Sequence, residues 1–240
     1  MDHLMTEVHA YPRPELATAE QSPRDVLRQA CSEMLSNALD FCEQKTRAQG
    51  RETVTWALRA GNRATHEYLR YALAKEIGNY LGHAAPSVKT VYHYEPESMP
   101  GEFANGRPAR PTRGLDLIVW VDGEDKDALT PMVEALSNEI LEAYKELVGP
   151  AAHAMHTFLA VDVVDDRDVQ QRKGAGALLA SIYTRPTKVW SRYVIQLNPE
   201  YCGQCHICSS VCPFDAITIS PDATAAKIDL DRCQFCGMCY

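Results

Sequence analysis

The sequence predicts an α+β protein: an α/β scaffold with a small mixed sheet flanked by helices, followed by a cysteine-rich C-terminal module. Three observations carry this. Helical and strand-like hydrophobic periods alternate along residues 22–195 in the order α-α-β-β-α-β-α-β, which calls for helices packed on a sheet. The segment Leu115 to Val121 is almost continuously apolar, as a central strand covered on both faces must be. Seven of the nine cysteines fall between Cys202 and Cys239, a density the rest of the chain does not share.

Residues 1–21 carry Pro12 and Pro14 among polar residues without periodicity, and are expected to form a flexible N-terminal arm. Ser22-Pro23 then reads as an N-cap with proline at the first helical position. Leu27, Cys31, Met34, Ala38 and Phe41 recur at three- and four-residue steps and mark the apolar face of a first helix. A second helix is expected from about Glu52 to Leu81, with Val54, Leu58, Gly61, Tyr68 and Ala72 on one face and Gly82 and Pro86 ending it. Val88 to Tyr94, rich in β-branched and aromatic residues, is the first strand. An 18-residue loop, Glu95 to Thr112, separates it from the central strand and is long enough to suggest a role.

Lys126 to Leu147 is amphipathic at helical period, with Leu129, Met132, Val133, Leu136, Ile140, Tyr144 and Leu147 on one face, and Gly149-Pro150 stops it. Thr157 to Val164 reads as a strand, Val169 to Ser181 as a helix, and Thr187 to Leu197 as a final strand. The domain plan is therefore an arm at 1–21, a scaffold at 22–195 and the cysteine module at 196–240.

Hydrophobic residues at 45% and charged residues at 23% are ordinary for a globular chain. A net charge of −8 argues against nucleic acid as the main partner, since polyphosphate binding relies on clustered Lys and Arg. No apolar run reaches the roughly 18–20 residues needed to span a bilayer. Met1 to Glu15 has neither a basic start nor an apolar stretch, so no secretory signal is read and the expected location is cytoplasmic.

The module repeats one pattern. The first copy, Cys202-Gly-Gln-Cys205-His-Ile-Cys208-Ser-Ser-Val-Cys212-Pro213, has the spacing C-x2-C-x2-C-x3-C-P. The second is Cys233-Gln-Phe-Cys236-Gly-Met-Cys239. In a cytosolic chain such spacings point to metal rather than disulfides. Zinc ribbons use paired C-x2-C knuckles and need neither the third cysteine nor the proline.

From about Gln196 to Tyr240 the chain resembles the two-cluster bacterial ferredoxins, including Asn198-Pro199-Glu200-Tyr201 before the first motif and Pro213-Phe214-Asp215-Ala216-Ile217 after it. The resemblance implies two [4Fe–4S] clusters with crossed ligation. Cys212, Cys233, Cys236 and Cys239 would hold one. Cys202, Cys205 and Cys208 would hold the other, whose fourth ligand is expected four residues beyond Cys239, whereas the sequence stops at Tyr240. Three explanations stand open: a chain cut in mid-motif, a three-iron or non-cysteine-ligated cluster, or occupancy of the complete site only. Ile207, Val211, Ile217, Ile219 and Ile228 are expected to pack against the inorganic core, and His206 to be a surface imidazole.

The remainder bears a weak resemblance to a degenerate nucleotidyltransferase-like fold. Gly114-Leu115-Asp116-Leu117-Ile118-Val119 is similar to the strand that carries its paired acids, and Asp162 falls where the third acid would. Gly114 replaces the first acid, and Tyr94-Glu95-Pro96 stands where a Gly-Ser pair would. This implies an inactive copy of the fold, serving as a docking scaffold.

Other constellations carry less. Gly174-Ala175-Gly176 is read as no dinucleotide loop, because no strand ends just before it. His153 and His156 are read as a surface pair, and Cys31 and Cys42 as buried thiols. Arg107, Arg110 and Arg113 recur every third residue with Pro108 and Pro111 between them. In a polyproline II segment they would line one edge, able to grip an acidic partner or a phosphate.

The expected function is electron transfer, with redox proteins or complex subunits as partners. The alternatives are an iron–sulfur enzyme whose α/β domain binds or transfers nucleotides, and a cluster-based sensor.

Overall fold

The structure, a computed structural model, describes residues 22–94, 114–123, 126–180, 186–193, 195, 200, 202–219, 226–234 and 239. The N-terminal arm and the loop carrying Arg107, Arg110 and Arg113 lie outside the described residues, as does Cys236.

Helix α1 (Pro23–Thr46) starts as its sequence dictates: the Ser22 hydroxyl accepts the Asp25 N–H, and Pro23 opens the first turn. The long helix expected next is two. Helix α2 (Arg51–Arg59) and helix α3 (Arg63–Ala84) are separated at Gly61, whose φ of 75° lies in the left-handed region. Asn62 then caps α3 by accepting the Thr65 N–H. The cap outweighed the continuous periodicity, which had placed Gly61 on a helix face.

Strands β1 (Val88–Tyr94) and β2 (Leu115–Val121) match their predicted bounds, as helix α4 (Lys126–Val148) does to within a residue. A 3-10 turn (Gly149–Ala152) precedes strand β3 (Leu159–Val164). The helix expected at 169–181 is replaced by two five-residue helices, α5 (Asp166–Gln170) and α6 (Ala175–Leu179). Left-handed Arg172 and Gly174 break the path between them. Strand β4 (Thr187–Ser191) ends earlier than expected.

The sheet is small, four-stranded and mixed, in the order β3-β2-β1-β4, so β2 is internal as its apolar run requires. Strand β1 runs antiparallel to β2, pairing Tyr92 with Ile118 and Tyr94 with Asp116, and antiparallel to β4, pairing Tyr92 with Lys188.

Two compact units make up the chain. The first contains α1–α4; the second contains most of the sheet, α5, α6 and the cysteine module. In the first, α1 packs on α3, and the buried Glu139 of α4 bonds Arg24 (2.7 Å) and Arg28 (3.3 Å) one turn apart on α1. In the second, one sheet face is closed by a cluster of Tyr92, Ile118, Val164 and Leu178, with Val169 and Ala175 packed against it. There α5 and α6 approach so closely that a Cβ on Gly176 would lie 2.3 Å from the Asp168 carbonyl oxygen and 2.8 Å from the Val169 nitrogen. Gly176→Ala is therefore expected to destabilise by about 1–3 kcal/mol, because backbone atoms cannot swing aside. Chemical denaturation checks this; a change below about 0.5 kcal/mol, ordinary for a surface site, would contradict the close approach.

Among the described residues, no helix is long and apolar enough to cross a membrane.

Candidate iron–sulfur site

The first cysteine motif approaches helix α7 (Ile207–Val211) along an irregular stretch in which two non-glycine residues, Gln204 (φ 53°) and His206 (φ 61°), are left-handed. Left-handed residues between cysteines turn successive backbone amides toward a common concavity, the kind of nest that accommodates anions and iron–sulfur sites. The thiolate is the metal-binding form, and these amides stabilise it. Backbone N–H groups of Ala226 and Gln204 bond Cys202 and hold its thiol below the usual range. The Ala216 N–H likewise reaches the Cys212 sulfur at 3.4 Å.

A two-stranded ladder links the motifs. Strand β5 (Ile217–Thr218) pairs antiparallel with β6 (Lys227–Ile228), matching Ile217 with Ile228. The ladder continues outward, the Asp229 N–H donating to the Ala216 carbonyl at 2.7 Å. Ala216 follows Cys212 by four residues and Asp229 precedes Cys233 by four, so the end of one motif and the start of the other meet at the same end of the ladder. Asp229 then builds the turn into the second motif: its side chain accepts the Asp231 and Arg232 N–H groups, and its carbonyl accepts the Cys233 N–H at 2.9 Å. Arg232 donates back to the Asp215 carbonyl at 3.3 Å.

Three contacts tie this turn to the sheet. The Lys188 N–H donates to Gln234 Oε1 at 2.5 Å, Lys188 Nζ donates to the Leu230 carbonyl at 2.9 Å, and the Tyr92 hydroxyl donates to the Gln234 carbonyl at 3.3 Å. Burial pushes the Lys188 ammonium downward, while Cys233 and Asp231 act in the opposite direction. Sequence reasoning missed Lys188 and Tyr92, which stand 46 and 142 residues from Gln234 and carry no local signal.

Cys202, Cys208, Cys212, Cys233 and Cys239 are partly exposed and Cys205 is exposed; all six are free of disulfides. Among the described residues, no group of three or more Cys, His, Asp or Glu side chains is gathered so that it could hold a metal ion. The sulfur donor set, the amides on Cys202 and Cys212 and the left-handed turns fit an iron–sulfur cluster. Of the apolar residues expected around the core, the polypeptide buries Ile217, half-buries Ile219 and Ile228, and leaves Ile207 at 64% and Val211 at 36% exposure. His206 is exposed, as expected of a surface imidazole.

The other sequence candidates resolve differently. Asp116 is buried at 7% exposure, on the strand next to that of Asp162. The Tyr94 hydroxyl donates to Asp162 at 3.2 Å, and Tyr94 faces Asp116 in the ladder. Gly174 has a positive φ, and Gly176 lies directly against the backbone of Asp168 and Val169. His153 and His156 are exposed.

Cys31 and Cys42 are buried in the first unit, which pushes both thiols up to about 12. They are expected to resist alkylation at pH 8 in the folded, loaded protein and to react fully once denatured. Peptide mapping checks this, and labelling of either thiol before unfolding would contradict its burial.

The family model of the 4Fe–4S dicluster domain matches residues 194–240. Neither the curated proteins nor the solved structures contain a match to the chain. The sulfur-rich repeat, the ladder joining its halves and this family match agree: residues 194–240 are a 4Fe–4S domain of the bacterial ferredoxin type.

Proposed function

We propose that this protein is a non-catalytic electron carrier, a subunit or dedicated shuttle of a larger redox complex in the cytoplasm, with the α/β part as its docking scaffold. The dicluster domain gives it an iron–sulfur electron-transfer role. When bound, a [4Fe–4S] cluster supplies one-electron storage at a potential set by its surroundings. In this reading Cys212, Cys233, Cys236 and Cys239 hold one cluster, and Cys202, Cys205 and Cys208 supply three ligands to a second. The observation that carries the assignment is the hydrogen bond from Asp229 to Ala216, which brings the neighbourhoods of Cys212 and Cys233 together.

The chain's own groups do the remaining work. Backbone amides hold the Cys202 thiol below its usual range, the Ala216 N–H reaches the Cys212 sulfur, and Ile217 keeps water from the ladder side. Arg107, Arg110 and Arg113 would grip an acidic partner or a phosphate. Iron and sulfide analysis, with EPR of the reduced protein, tests the reading. About eight irons per chain and two interacting signals support two clusters, about four support the complete site alone, and an iron-free chain overturns the proposal.

A second reading has one observation in its favour: Asp116 and Asp162 stand on neighbouring strands, and Tyr94 of β1 pairs with Asp116 while its hydroxyl donates to Asp162. An α/β part that binds or transfers nucleotides would show nucleoside triphosphate turnover abolished by Asp116→Asn and Asp162→Asn. Reversible reduction without such turnover favours the carrier.

A further inference from the structure

We propose that Lys188, on the edge strand β4, is a positioning residue that also sets the reduction potential of the cluster bound through Cys233. The inference rests on the ligand reading above, and it concerns one side chain outside the cysteine module.

The geometry is a clamp. Lys188 bonds the turn on both sides of Cys233, its ammonium at Leu230 and its backbone N–H at Gln234. Tyr92, its cross-strand partner, takes the Gln234 carbonyl. The Gln234 side chain closes the turn on the Arg232 carbonyl at 3.2 Å. Cys233 is thus bracketed by bonded neighbours and anchored to a paired strand, which fixes its sulfur more firmly than a free loop would. The anchoring also fixes a cation beside it. Lys188 is half-buried, and its ammonium is held at the Leu230 carbonyl, three residues before Cys233.

Reduction adds one negative charge to the iron–thiolate assembly. A cation held in a partly desolvated position interacts with that extra charge more strongly than one in bulk solvent. It therefore favours the reduced form and raises the potential. A free lysine on a flexible loop would be screened and averaged; the two hydrogen bonds prevent that.

The test is an EPR-monitored redox titration of the loaded full-length protein, comparing wild type with Lys188→Met and Lys188→Arg. Methionine keeps the stem and removes the charge; arginine retains the charge. The expected result is a reduction equilibrium about tenfold less favourable in Lys188→Met, 59 mV lower for one electron. Lys188→Arg should remain near wild type, and any signal from a cluster on Cys202, Cys205 and Cys208 should not move. Loss of the cluster in Lys188→Met with retention in Lys188→Arg also supports the proposal, through positioning. Equal potentials in Lys188→Met and wild type overturn it, as do equal shifts or equal cluster loss in both variants. Failure of the ligand reading is distinguishable: wild type itself would then lack the signal that Cys233→Ser removes.

Discussion

Cys212→Ser is expected to remove the cluster completed by Cys233, Cys236 and Cys239, although Cys212 belongs by sequence to the other motif. Serine is close in size to cysteine, but its hydroxyl is far less acidic than a thiol and a poor soft ligand for iron. The prediction is specific because of the ladder. Ala216 hydrogen-bonds the Cys212 sulfur through its N–H and accepts the Asp229 N–H through its carbonyl, so one residue joins the end of the first motif to the start of the second. In a protein carrying two clusters, iron content should fall by about half, the remaining EPR signal should lose its inter-cluster interaction, and it should persist in Cys212→Ser but vanish in Cys202→Ser. If Cys212→Ser and Cys202→Ser instead erase the same signal, each motif holds its own cluster and the crossed assignment is wrong.

Phe158→Ala should destabilise the first unit by about 3–5 kcal/mol, the largest folding effect expected from a single side chain here. Phe158 is 1% exposed and stacks on Tyr144, also 1% exposed, with ring centroids 4.0 Å apart. Its carbonyl accepts the Leu115 N–H at 2.7 Å where β2 begins. Tyr144 in turn donates to His66 Nδ1 at 3.3 Å, while His66 Nε2 donates to the Leu58 carbonyl at 3.0 Å. Removing the ring leaves a cavity beside this polar relay, so repacking is opposed by hydrogen bonds that fix Tyr144 from the other side. Urea unfolding followed by helical circular dichroism measures the loss. Phe158→Leu, which retains most of the volume, should lose much less. A Phe158→Ala loss below about 1 kcal/mol would mean the site collapses freely.

The outcome for each element follows from where its information resides. Strand β2 and helix α4 were legible because a buried strand and an amphipathic helix write their environment into every residue. The division of α2 from α3 was not, because a single glycine with positive φ and an asparagine cap override a period that runs on through them. The split between α5 and α6 has the same origin at Arg172 and Gly174. In the second unit the short helices survive by closing one face of the sheet, a tertiary cause that a five-residue window cannot express.

The iron–sulfur module shows the same division within one site. Cysteine spacing is local chemistry: two-residue intervals place three sulfurs around one cube, so the resemblance from about Gln196 to Tyr240 was legible in the pattern, and the family match spans 194–240. The surroundings of those sulfurs are only partly local. Of the amides on Cys202, one comes from Gln204 nearby and one from Ala226, and the carbonyl that Asp229 reaches lies across the ladder on Ala216. The lysine beside Cys233 comes from strand β4, 45 residues earlier in the chain. Spacing thus specifies which atoms can ligate. Hydrogen bonds and charge supplied by distant strands determine how firmly the ligands are held and at what potential they work, because electrostatic interactions depend on separation in space and on burial.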